Sequence, residues 1–222
     1  MKLKYIFKKS NISKQKEDWF IIAFFFLLAF VYFFFFASHI LFFQEQQYLF
    51  VYTSEYFDEF FVRPGGLLDL SGKFLTQFYY SRLAGSLILA ITLTLPGIML
   101  LHVNRHIKLN PVSAFPLMII PSCLLLIMQT HYYHMMLYNL GFLLILIYFL
   151  LFVLSERKIS RIVLTVFFPA FFYFSGAYAV ISAILILIYT LFYLKGPERY
   201  YLPLIMLLAA LVSALLFKQM LL

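Results

Sequence analysis

Charge is nearly absent from most of this chain. Only 12% of its 222 residues are Asp, Glu, Lys or Arg, about half the share of an ordinary soluble domain. Six stretches carry almost none: residues 19–36, 83–101, 112–128, 135–154, 162–194 and 202–217. No span centre holds an acidic or basic residue, which argues against an ion-coupled transporter, whose relays need intramembrane charge. The single cysteine, Cys123, excludes an intramolecular disulfide and any multi-cysteine zinc or iron–sulfur site. Placed mid-span, it reads as a small packing residue. No P-loop, dinucleotide fingerprint, nucleophile elbow or HExxH motif occurs.

What is abundant is apolar: 64% of residues are hydrophobic and the mean hydropathy is +0.95. Runs of about 17–25 such residues match the roughly 30 Å hydrocarbon core of a bilayer, and lipid forces them to be helical. The expected fold is all-α, a polytopic membrane bundle of six to seven spans with an amphipathic helical hairpin in its first outer loop. Residues 1–18 form a basic N-terminal segment, and 19–222 form one membrane domain with its outer loop at 38–80. Residues 19–36 exceed the apolar region of a signal peptide, and no A-x-A-like site follows, so this segment reads as a retained anchor.

Basic residues fall on one side. Lys2, Lys4, Lys8, Lys9, Lys14 and Lys16 precede the first span and place the N-terminus in the cytoplasm. Arg105, Lys108, Arg157, Lys158, Arg161, Lys195 and Arg199 then fall on the same side, leaving Arg63, Lys73, Arg82 and Lys218 outside. This parity requires residues 162–194 to turn round, since thirty-three helical residues would extend about 50 Å. Ser175-Gly176 is the expected break. The two halves are either full crossings or a re-entrant pair. The charge excess of +8 accounts for orientation and for contact with membrane lipids, and no nucleic-acid partner is implied.

The loop at 38–80 holds Glu45, Glu55, Asp58, Glu59 and Asp69, more than half of the nine acidic residues. Its periodicity predicts a helix over 49–62, a turn at Pro64-Gly65-Gly66, and a helix over 67–80. Leu49, Phe57, Phe60 and Phe61 mark the sheltered side of the first helix. Asp69 and Lys73 stand four apart on the second, in the favourable order for an ion pair.

The QEQ-x-x-LF stretch at 44–50, the Pro64-Gly65-Gly66-Leu67 turn, FLTQF at 74–78, the PVSAFP start of the third span and the THYYH connector at 130–134 resemble a Bacteroidales family of multi-spanning membrane proteins, DUF6057. That resemblance implies a bacterial inner-membrane location and no established activity. Members of the family are expected to continue beyond the membrane part, so this chain reads as a short one. The outer loop with its acidic pair also resembles, in architecture, the membrane-embedded GT-C glycosyltransferases. That second resemblance implies Asp58 and Glu59 as general base or cation ligands, with Arg63 and Lys73 on a polyprenyl phosphate.

Three carboxyls crowd one turn at Glu55, Asp58 and Glu59. They form either a solvated face or a site in which a divalent cation relieves their repulsion. His131 and His134 share the outer side, and an H-x-x-H spacing can set two imidazoles on one turn beside such a site. His39 and Glu45 are outer-side polar residues of the same kind. Arg63 is either a phosphate ligand or a headgroup anchor. The function expected is that of a membrane scaffold or assembly partner in the cell envelope, which engages another membrane protein. The alternative is a GT-C-like transferase with a lipid-linked substrate. For topology, a cysteine placed at Lys195 in intact cells should resist a membrane-impermeant thiol reagent, whereas one placed at Thr130 should react. Labelling at position 195 from outside would rule out the seven-segment arrangement.

Overall fold

The computed structural model describes the backbone at residues 2–107 and 111–217, and side chains at 17–107 and 119–217. The described residues contain helices and no strand. Helix α1 (Lys2–Val31) ends in a π-helical turn (Tyr32–Phe36), and α2 (Ser38–Gln47) continues beyond it. The hairpin is α3 (Ser54–Phe61) and α4 (Gly66–Thr76), extended by a 3-10 turn at Gln77–Tyr80. Then come α5 (Arg82–Ile107), α6 (Pro111–Gln129), α7 (Met136–Leu154), α8 (Lys158–Val166), α9 (Phe168–Ser175), α10 (Tyr178–Phe192) and α11 (Glu198–Leu216).

Four helical segments, Glu17–Phe36, Arg82–Ile107, Met136–Leu154 and Glu198–Leu216, are long and apolar enough to cross a membrane. The pair α8 and α9, bent by 47°, makes a fifth if counted as one span. Ile119–Gln129 and Tyr178–Phe192 are shorter apolar helices. The chain is an integral membrane protein built as a helical bundle.

Two cores share α7. One gathers Phe33, Leu41, Tyr79, Leu89, Leu125 and Met136 from the first half. The other gathers Phe152, Phe168, Ile186 and Met206 from the second. Ionic contacts mark one end of the bundle, where Asp18 meets Arg105 at 3.1 Å and Glu198 meets Arg161 at 2.7 Å. At the other end sits the hairpin. The α9–α10 turn reaches it, since the Gly65 amide donates to the Tyr173 carbonyl at 2.8 Å and the Tyr173 hydroxyl donates to the Phe61 carbonyl at 2.6 Å.

The break at Ser175-Gly176 falls where the sequence places it, with Gly176 at φ 61°. A second break, at Phe167, was not anticipated. Pro169 sits in the first turn of α9 and has no N–H to continue the ladder from α8, so the helix restarts at a new angle. The first loop helix is shorter than the expected 49–62. The Thr53 side chain caps α3 by accepting from the Tyr56 amide at 3.4 Å. Before it, residues 49–53 stay out of helix because side chains satisfy their carbonyls: Tyr56 donates to Leu49 at 3.2 Å and Gln77 to Phe50 at 3.3 Å. Phe60 is buried and Phe57 half-buried, whereas Leu49 and Phe61 are exposed. The Asp69–Lys73 pair does not form. The tight turn brings Arg63 back onto the first turn of α4, where it takes Asp69 at 2.7 Å.

The two turns touch through bare backbone. A Cβ at Gly176 would lie 3.0 Å from the Gly65 Cα, and both glycines have positive φ. Gly176→Ala therefore combines left-handed strain with a backbone clash and should cost more than about 3 kcal/mol. Gly196→Ala carries a similar φ of 83° into open space and should cost about 1 kcal/mol. Thermal unfolding of the two purified variants compares them directly, and equal losses would show that the Gly65–Gly176 contact contributes nothing.

Candidate functional site

The amides at the hairpin end have no water to bond, so they must bond each other. Gln44 at the end of α2, Gln129 at the end of α6 and Asn139 in the first turn of α7 are each 0% exposed. His134, in the connector between α6 and α7, is buried beside them. The His134 Nε2–H donates to Asn139 Oδ1 at 3.0 Å, and Asn139 Nδ2 donates to Gln129 Oε1 at 2.6 Å. Gln129 Nε2 then donates to Gln44 Oε1 at 3.0 Å, and Gln44 Nε2 returns to the His134 carbonyl at 2.8 Å. The circle closes in one sense only, because a backbone carbonyl can accept but never donate. Gln44 also reaches the Tyr132 carbonyl at 3.3 Å. Just outside the circle, the buried Tyr79 hydroxyl donates to the Met136 sulfur at 3.5 Å.

Burial holds the His134 imidazole below its ordinary pKa; the bond to Asn139 opposes that shift and the nearby His131 adds to it. The neutral ring is the form that suits the site. It carries its proton on Nε2, where Asn139 takes it.

The residues singled out from sequence do not converge. Asp58, Glu59 and Glu55 are exposed on α3, and their carboxylates have no hydrogen-bond or ion-pair partner among the described residues. Arg63 is committed to Asp69 and lies 5.6 Å from the centre of the Phe60 ring. Lys73 rests on the same ring at 4.6 Å, and on Tyr56 at 5.8 Å. Burial, then the charges of Asp69 and Glu59, raise the Tyr56 phenol above its usual pKa. His131 is exposed and His134 belongs to the circle, so the two do not pair as an H-x-x-H site. His39 is exposed, its ring tilted against that of Tyr132 at 5.8 Å. Among the described residues no group of three His, Cys, Asp or Glu is placed to hold a metal ion. A phosphate at Arg63 would have to displace Asp69.

Three of the four circle members were missed by sequence reasoning. Their signal was a polar amide at a span end, within the QEQ stretch, before THYYH and after it. The QEQ stretch is one on which the family resemblance rests, and the family's profile matches residues 14–222.

The chain belongs to DUF6057, a family of unknown function.

No curated protein and no solved structure matches it. The family thus supplies an identity and no activity, and the geometry carries the functional argument.

Removing one amide strands two neighbours in a buried site, at about 1–3 kcal/mol for each unsatisfied group. Asn139→Leu should therefore cost about 2–6 kcal/mol. In a cycle with Gln44→Leu and Gln129→Leu, the double variant should lose less than the two singles added together. Because the folded pKa of His134 lies below the ordinary 6.5, the unfolded chain takes the proton first. Its contribution is fully present above about pH 6.5 and is lost as pH falls from there toward the folded value. The melting temperature should drop as pH falls below about 6.5, and less steeply in His134→Gln. Parallel curves would show that His134 plays no part.

Proposed function

We propose that this protein is a multi-span scaffold of the bacterial inner membrane. It has a cytoplasmic N-terminus and presents the α3–α4 hairpin on the outer side to a membrane partner of the cell envelope. The observation that carries the reading is how the hairpin uses its charges. Asp58 and Glu59 stand exposed and unpaired on α3, while of Arg63, Lys73, His131 and His134, the groups a transferase would turn on its substrate, all but the exposed His131 are engaged within the protein. The acidic face therefore suits a cationic partner surface better than a reacting phosphate. It is also held firmly, through the Gly65–Tyr173 hydrogen bond below and the Arg63–Asp69 pair across the turn.

Seven membrane segments are the count we favour, with α8–α9 as one bent crossing and α10 as the return. Two observations support this threading. The α9–α10 turn meets the hairpin, and the connectors before α8 and α11 are brought together where Arg161 of α8 meets Glu198 of α11. Both connectors then lie on the side of the basic N-terminal segment, as the charge distribution requires.

Charge-conserving swaps separate a docking face from a catalytic one. Asp58→Glu with Glu59→Asp keeps both charges but shifts each carboxylate by a methylene, a displacement that catalytic positioning does not tolerate. In a knock-out strain with an envelope defect, the swapped variant should complement fully, and Asp58→Lys with Glu59→Lys should not. All variants should stay within about 0.5 kcal/mol of the parent in stability, because both sites are exposed. Failure of the swapped variant at normal abundance would overturn the scaffold reading in favour of a transferase acting on a lipid-linked sugar.

A further inference from the structure

At the end of the bundle away from the hairpin, two connectors are clamped together by one buried carboxylate. Glu198, the first residue of α11, takes Arg161 at 2.7 Å and Lys158 at 3.8 Å, and its side chain is only 9% exposed. The clamp leaves a surplus around it. Arg157, Lys195 and Arg199 are exposed and have no ion-pair partner among the described residues. The acidic residues of these two connectors are Glu156, also exposed, and Glu198 itself. The pair is therefore strongly cationic even after Glu198 is counted.

An apolar stripe begins where the cations end. Helix α8 exposes Ile159, Val163 and Val166, spaced four and three residues apart along one face. Helix α11 packs against α8 and likewise exposes Tyr200 and Leu204, directly after Arg199. A ligand that satisfies both features has an anionic head and a hydrocarbon tail. Free phosphate would use only the first.

We propose that the exposed cations Arg157, Lys195 and Arg199, on two segments joined through Arg161 and Glu198, together bind the phosphate of an anionic phospholipid, whose acyl chain lies along the α8 stripe. Each cation near a membrane surface contributes enough attraction that three together distinguish an anionic from a zwitterionic headgroup by well over ten-fold. This site is separate from the hairpin, and its test is independent of the scaffold reading.

Native mass spectrometry of the full chain, titrated with phosphatidylglycerol and then with phosphatidylcholine, reads the site directly. The parent protein should hold one phosphatidylglycerol at least about ten-fold more tightly than phosphatidylcholine. R157Q/K195Q/R199Q should lose that preference while melting normally, since all three side chains are exposed. R63Q/K73Q/R82Q removes the same charge from the other end and should keep the preference, and R157K/R199K should keep it too. Equal loss in both triple variants would reduce the effect to diffuse charge and overturn the site. Displacement of the lipid by millimolar inorganic phosphate would overturn the lipid assignment, and so would the absence of any preference in the parent.

Discussion

Three buried amides and one imidazole hold the first half of this protein in place. In a bundle surrounded by lipid, apolar packing alone discriminates poorly between neighbouring helices, because lipid tails are as apolar as leucine. Gln44, Gln129, Asn139 and His134 supply the missing direction. Each donates once and accepts once within the circle, so α2, α6 and α7 have one mutual arrangement that leaves no amide stranded. The value of each such bond is modest, about 0.6 kcal/mol on average in membrane bundles. The penalty for a wrong partner is larger, and that asymmetry fixes the register.

From this fixed end the hairpin acquires its position. Gln77 of the 3-10 turn holds the Phe50 carbonyl, Tyr79 bonds Met136, and the Gly65 turn lies directly on Gly176. The aromatic rings between α3 and α4 then give Lys73 and Arg63 a shared seat on Phe60. Cations seated in this way are poorly disposed to reach for a phosphate, whereas the carboxylates on the far face of α3 stay free. The functional reading follows from that division of charge within a single hairpin.

Much of the bundle was legible in the sequence because lipid makes span length and apolarity nearly synonymous. The Gly176 break and the Pro64-Gly65-Gly66 turn were legible too, since glycine and proline act locally. What periodicity could not show was partnership. Asp69 stands four residues from Lys73, yet the tight turn delivers Arg63, six residues before it in sequence, instead. Thr53 outcompeted the apolar pattern before it and started α3 late. Pro169 carried a readable signal for the Phe167 break, but the glycine nearby drew the reading to itself. The circle was the hardest to see: its bonded members are separated by up to 90 positions, and no local rule says which polar span ends meet.

The circle also sets an order of manufacture. Gln44 leaves the ribosome long before the carbonyl of His134 exists, and Asn139 must follow before the last bond can form. Until the end of α6 and the connector after it have been made, the Gln44 amide can satisfy itself only with water or headgroups at the membrane surface, and the circle stays open until Asn139 follows. Helices α1, α5 and α6 are therefore provisional neighbours at first, and the final registry of α2 and α6 is decided when the N-terminal turn of α7 arrives. Translation arrested just before that turn should leave a first half that is threaded but not yet locked.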